Sequence, residues 1–158
     1  MRVDELDLPT LVSLTAEGVV RSLLAALADA GYEGVRPSHG YVIQMLVEDE
    51  PTISALAVAL CITQQGASKQ VRDLERLGYV ERLAVPGDAR AKRVRLTARG
   101  RGVLEAGRSA RRKLEATLVR RVGKAESETA RAVVAQLLEI VGLGDDVRQR
   151  RVPLPAGD

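Results

Sequence analysis

The chain has 158 residues with a formal net charge of +3; hydrophobic residues make up 46% of it and aromatic residues 2%, with neither Phe nor Trp. That length fits one domain, with a core built from Leu, Val and Ala, and one cysteine excludes a disulfide within the chain. Acids dominate the first fifty residues and arginines crowd the second half, which argues for an electropositive lobe rather than uniform basicity.

The opening carries no signal-like segment, and no apolar run reads as long enough to span a bilayer, so the cytoplasm is the expected compartment. Arg- and Ala-rich usage with little Lys suits a bacterial genome of high GC content. A first helix is expected from Pro9 or Thr10 to Asp29, ended by Gly31. Its apolar stripe of Leu11, Leu14, Val19, Val20, Leu23, Leu24 and Leu27 is wider than one small lobe covers. Ser38 is placed to cap a second helix from His39 to Glu48, with Val42, Met45 and Leu46 inward, and Pro51 stops its continuation. The single histidine, His39, reads as a packed, hydrogen-bonded side chain, because a lone imidazole lacks the further ligands of a metal site.

Thr52 to Thr97 organises the rest. Thr52 caps a short helix that buries Leu56, Ala57 and Leu60; the chain turns through Cys61 and Ile62, and Thr63 caps the next helix. In that helix Ala67, Val71 and Leu74 share one face, while Gln65, Ser68, Lys69, Arg72 and Arg76 share the other, and Gly78 ends it. Such side chains at the front of a helix reach base edges and phosphates in a major groove, though a solvated face on a helical hairpin has the same composition. Cys61, in the turn, is expected to pack as a small, inert apolar residue.

YVERLAV at Tyr79 to Val85 alternates as a strand does, Pro86 and Gly87 break it, and Val94 to Leu96 form a short return strand. The tip between them carries Asp88, Arg90, Lys92 and Arg93. A basic hairpin tip suits a minor groove, whose narrow width and negative potential attract arginine; the alternative is a hydrated tip that blunts edge pairing. Thr97 then caps a long helix with Val103, Leu104, Ala110, Leu114, Leu118 and Val122 as its apolar positions. Gly100, Gly102 and Gly107 mark either close packing or an irregular first turn. Gly123 interrupts, and a last helix runs from about Ala125 to Val141. The ending, RQRRVPLPAGD, reads as an extended tail whose basic run is solvated or touches phosphate.

LERLGYVER at Leu74 to Arg82, then D-A-R at Asp88 to Arg90, then L-T at Leu96 and Thr97, resembles the DNA-binding signature of MarR-type winged-helix regulators, without a gap in the spacing. The resemblance implies a mostly α fold with a small antiparallel β-wing (α+β). The DNA-binding lobe would occupy about 37–97, dimerisation helices about 9–30 and 98–142, and a mobile tail 143–158. It places Thr63, Gln64, Gln65, Ser68, Lys69 and Arg72 toward a major groove, and makes Arg90 the minor-groove residue, with its guanidinium held by Asp88. Lys92 and Arg93 add phosphate contacts.

By the same resemblance the chain is a homodimer on a roughly palindromic double-stranded DNA operator, probing two grooves about one turn apart, and acts as a repressor. A small-molecule effector would sit in a cleft near His39 and Tyr41. Relatives that sense oxidants use a thiol in the first helix, whereas Cys61 lies between two helices. No phosphate loop, Cys/His cluster or nucleophile with a matching base is visible, so no enzyme activity, metal or cofactor is expected. Two alternatives stand beside this reading: a winged-helix module for protein partners, and a thiol-based redox regulator acting through Cys61.

Overall fold

The computed structural model describes residues 2–85 and 87–149; for Val85, Asp88, Ala89 and Arg90 it describes the backbone alone. After a 3-10 turn at Val3–Glu5 the elements are α1 (Leu8–Asp29), α2 (Pro37–Met45), α3 (Ile53–Ala59), α4 (Gln64–Arg76), β1 (Val80–Val85), β2 (Asp88–Leu96), α5 (Ala98–Val122), α6 (Lys124–Ile140) and α7 (Gly144–Arg148). Among the described residues it is a mostly helical chain with one two-stranded antiparallel sheet.

The core gathers in the lobe formed by α2, α3, α4 and the hairpin. Leu56, Leu60, Val71, Leu74, Tyr79, Val80 and Val94 are all buried there, joined by Val42 and Ile43 from α2. Three threonines start three of the helices. Thr52 accepts from the Ala55 amide at 3.2 Å, Thr63 from Gly66 at 3.0 Å, and Thr97 from Gly100 at 3.0 Å, each satisfying an amide that the helix itself leaves without a partner. Asp7 does the same for α1, accepting from Thr10 at 2.9 Å; that bond holds its carboxyl below the usual value.

Several expectations change. Ser38 does not cap α2: the helix starts one residue earlier, with Pro37 in its first turn after an extended Arg36, because proline's fixed φ suits that position and disfavours helix before it. Ser38 is buried instead, and α2 closes at Met45 rather than Glu48. The return strand is longer than Val94–Leu96. Lys92 pairs with Ala84 and Arg93 with Leu83, so much of the expected tip is sheet, with a register shift at Ala84/Val85. Pro51 and Thr52 add a short extra edge, with Val94 donating to the Pro51 carbonyl at 2.9 Å.

Cys61 is exposed rather than packed, at φ 53. The turn between α3 and α4 needs a left-handed residue there, and the next side chain, Ile62, takes the place against the core. Helix α1 also corrects the reading that no segment reaches membrane-spanning length: its 22 residues include an 18-residue window of mean hydropathy 1.6. By length and composition it could cross a bilayer. Only 6% of that window is buried inside the chain.

The glycines near the start of α5 mark close packing. A Cβ on Gly100 would lie 1.9 Å from the Tyr79 carbonyl oxygen, and one on Gly102 would lie 2.2 Å from the Tyr32 hydroxyl. These contacts press α5 against both the hairpin and the segment after α1. Arg99 stacks over the Tyr32 and Tyr79 rings at 5.7 and 5.3 Å and donates to the Gly31 carbonyl, so the joint is held by charge as well as shape.

Candidate nucleic-acid interface

Helix α4 is amphipathic. Ala67, Gln70, Val71 and Leu74 are buried, while Gln64, Gln65, Lys69 and Arg72 are exposed and Ser68 is half-buried. Residues 65, 68, 69, 72 and 76 recur at helical spacing, so they form one stripe along the outer side. The acids of this helix are occupied elsewhere. Asp73 pairs with Arg36 and stands 3.9 Å from Arg76, and Glu75 stands 3.2 Å from Arg82. The outward stripe is therefore left with amides, a hydroxyl and cations.

Two hydrogen bonds set the helix in place, and neither is readable as local pattern. Ser38 of α2 donates to the buried Gln70 amide oxygen at 3.1 Å. The Arg36 guanidinium donates to the Asp73 carboxylate and also lies 3.1 Å from His39 Nε2. Burial of Asp73 works against its charge, but the hydrogen bond and attraction of Arg36, with smaller contributions from Arg76 and His39, outweigh this and hold its pKa below the ordinary 3.8. At the front of α4, the Gln64 amide nitrogen donates to the Ser54 hydroxyl of α3 at 3.0 Å. That contact ties one candidate base-reading side chain to the neighbouring helix.

The hairpin stands beside this stripe. Val94 and Leu96 point into the core and Arg93 and Arg95 point out, as the two-residue period requires. By the same period Lys92 and Arg93 leave opposite faces of the ribbon, one toward each side. Arg95 is engaged by Glu81 at 2.8 Å across the sheet. The expected Asp88–Arg90 pair involves side chains outside the described set, though both residues belong to β2.

Of the two candidate ligand residues, Tyr41 lines a cavity. This space of about 220 Å³ lies between α1, α2 and α5, with Leu23, Leu24, Val35, Arg36 and Arg111 among its walls. His39 is buried within the lobe, where its Nδ1 faces the Arg36 amide at 3.2 Å. Among the described residues no group of three His, Cys, Asp or Glu side chains is placed to hold a metal ion.

A helix, a tight turn, a second helix with an outward polar stripe and a two-stranded hairpin, in that order, make this lobe a winged helix-turn-helix. The family model that matches the chain is that of the MarR family, over residues 33–91, from the segment before α2 to the start of β2. Among solved structures it is similar to the S. aureus MepR–DNA complex, at 25% identity and a TM-score of 0.66, covering 85% of this chain and 98% of that one. It is also similar to the YusO protein from Bacillus subtilis, at 20% identity and a TM-score of 0.67, covering 88% of this chain and 99% of that one. A third is the transcriptional regulator Tm0710 from Thermotoga maritima, at 22% identity and a TM-score of 0.58, covering 84% and 92%. No curated protein matches the chain by sequence.

Proposed function

We propose that this chain is a DNA-binding transcriptional regulator that works as a homodimer on a roughly palindromic operator and represses by occluding a promoter. The observation that carries the reading is the α4 stripe: Gln65, Lys69 and Arg72 are exposed together while both acids that would oppose phosphate are drawn into ion pairs. Lys69, Arg72, Lys92 and Arg93 supply phosphate contacts, Gln64, Gln65 and Ser68 read base edges, Thr63 lies at the front of the helix, and Arg90 enters the minor groove with Asp88 behind it. A similar protein, MepR, is described in complex with DNA, which supports the same class of partner here.

Fluorescence anisotropy on an operator obtained by oligonucleotide selection tests this. Affinity should fall steeply with salt, and Lys69→Ala or Arg72→Ala should each lower the log–log salt slope by about one while weakening all sequences alike. Arg90→Ala should weaken operator binding more than about tenfold at moderate salt while dimerisation persists. A salt-independent affinity with no preference over random duplex would instead identify a protein-interaction module.

An effector would occupy the cavity beside Tyr41 and act only through different affinity for two arrangements of the recognition helices. Arg36 and Arg111 in its walls favour an anionic, partly apolar compound. The exposure of Cys61, at the turn leading into α4, supports a second reading in which a thiol regulates binding. Peroxide treatment of the Cys61→Ser variant separates the two: a response equal to that of the parent chain excludes it.

A further inference from the structure

Two neighbouring glutamines open α4, and their surroundings differ. Gln64 Nε2 donates to the Ser54 hydroxyl of α3 at 3.0 Å, whereas among the described residues no hydrogen bond engages the Gln65 side chain. Both glutamines and Ser54 are exposed. Gln64 lies one helical step before Ser68 and two before Arg72 in the same row, so it continues the outward stripe along the side that faces α3.

The mount for this bond is rigid. Thr52 caps α3 and Thr63 caps α4, and Leu56 and Leu60 of α3 are buried in one core with Val71 of α4. A serine has a single torsion between its backbone and its hydroxyl oxygen, so Ser54 carries that fixed geometry outward with little slack. An unrestrained glutamine amide turns over readily, because its last torsion has a broad two-fold profile; it then accepts through Oε1 or donates through Nε2. Holding Nε2 removes that choice and leaves Oε1 as the open end of Gln64.

Each base pair places one exocyclic amine on its major-groove edge, adenine N6 in one kind of pair and cytosine N4 in the other. An acceptor held in place responds to where that amine stands. We propose that Ser54 is a positioning residue for sequence readout: it fixes Gln64 as a hydrogen-bond acceptor for an adenine or cytosine amine at one position of each half-site, while Gln65 stays free to adapt. The inference rests on the DNA-binding reading of α4 and adds to it a residue outside the recognition helix that selects sequence without touching the base. Gln64 is ordered before DNA arrives, so its contact loses less to side-chain entropy on binding.

Fluorescence anisotropy with base analogues tests it. Operators selected by the parent chain and by Gln64→Ala identify the position whose preference depends on Gln64. At that position the adenine or cytosine is replaced by the purine or pyrimidinone analogue that lacks only the amine. The parent should lose affinity about fivefold or more, and Gln64→Ala and Ser54→Ala each less than about twofold. Ser54→Thr keeps a hydroxyl and should keep the parent's sensitivity. Parent and variants should share one salt slope, since no charge changes. A Ser54→Ala variant that weakens every duplex alike and still senses the amine would make Ser54 a structural residue and overturn the proposal. So would a parent that binds its operator yet ignores the amine, or a Gln64→Ala variant with the parent's preferences at every position; these outcomes leave DNA binding by α4 standing. Salt-independent affinity with no site preference would remove the DNA-binding reading itself, and the proposal with it.

Discussion

Asp73 illustrates how one side chain serves two surfaces. It sits on α4, one residue from Arg72 on the outward stripe, yet its carboxylate turns inward to Arg36, which also borders the cavity beside Tyr41. Anything that draws Arg36 toward that cavity therefore loosens an anchor of α4. Because the folded pKa is lowered, the carboxylate's contribution is present above its ordinary 3.8 and is lost as pH falls through the lower native value. Replacing Asp73 by Asn should cost about 1 kcal/mol at pH 7, a modest figure because Arg36 is 41% exposed and partly screened. Urea titrations from pH 7 to pH 3 should show the gap between parent and variant narrowing as pH falls below 3.8. A gap that stays constant with pH would mean the ion pair contributes nothing measurable.

At the scale of the element, α5 shows how small residues set the angle between two parts of a chain. Gly100 lets the helix touch the Tyr79 carbonyl, and the residue that caps α5, Thr97, also donates its hydroxyl proton to the Gly78 carbonyl at 2.6 Å. Gly100→Ala must push backbone against backbone, so about 1–3 kcal/mol of overpacking outweighs the roughly 1 kcal/mol that alanine normally gains over glycine inside a helix. Gly107 is also buried, but a Cβ there would meet nothing nearer than Arg111 Nη1 at 3.8 Å. Gly107→Ala should raise the melting temperature by about 2–4 °C and Gly100→Ala should lower it by at least as much. Differential scanning calorimetry on the two variants decides the matter, and equal shifts would sink it.

The elements that were legible in the sequence owe that to local chemistry. Thr52, Thr63 and Thr97 announce their helices because a capping hydroxyl needs only three residues of context, and the buried face of α4 follows from period alone. What was hidden depends on distant partners. Ser38 looks like a cap and serves Gln70, 32 residues away; Arg36 carries no pattern and meets Asp73, 37 residues away. The full length of the hairpin is not legible because Asp88, Lys92 and Arg93 have turn-like and basic side chains that mask a strand, and pairing with β1 overrides that preference. Ser54, which holds Gln64 from ten residues away, likewise carries no local signal.

At the scale of the whole molecule, the apolar surface is larger than one chain uses. Leu14 on α1, Leu118 on α5 and Val134 on α6 are 47%, 48% and 45% exposed, and Ile140 is 79% exposed. An open cleft of about 390 Å³ runs beside Val12, Val134, Leu137, Leu138 and Val141, and it joins the start of α1 to α6. The same α1 that is apolar enough for a bilayer lies on this surface, and the homodimer proposed above would cover it beside α6. Leu14→Glu with Val134→Glu should leave the single chain folded, since both side chains already face outward, and should convert a dimer to a monomer in sedimentation velocity. The monomer should keep the helical circular dichroism of the parent but lose the operator affinity that two linked recognition helices provide, with only half-site binding left at high protein concentration. If the doubly substituted chain still sediments as a dimer, the pairing surface lies elsewhere and the exposed faces of α1 and α6 need another partner.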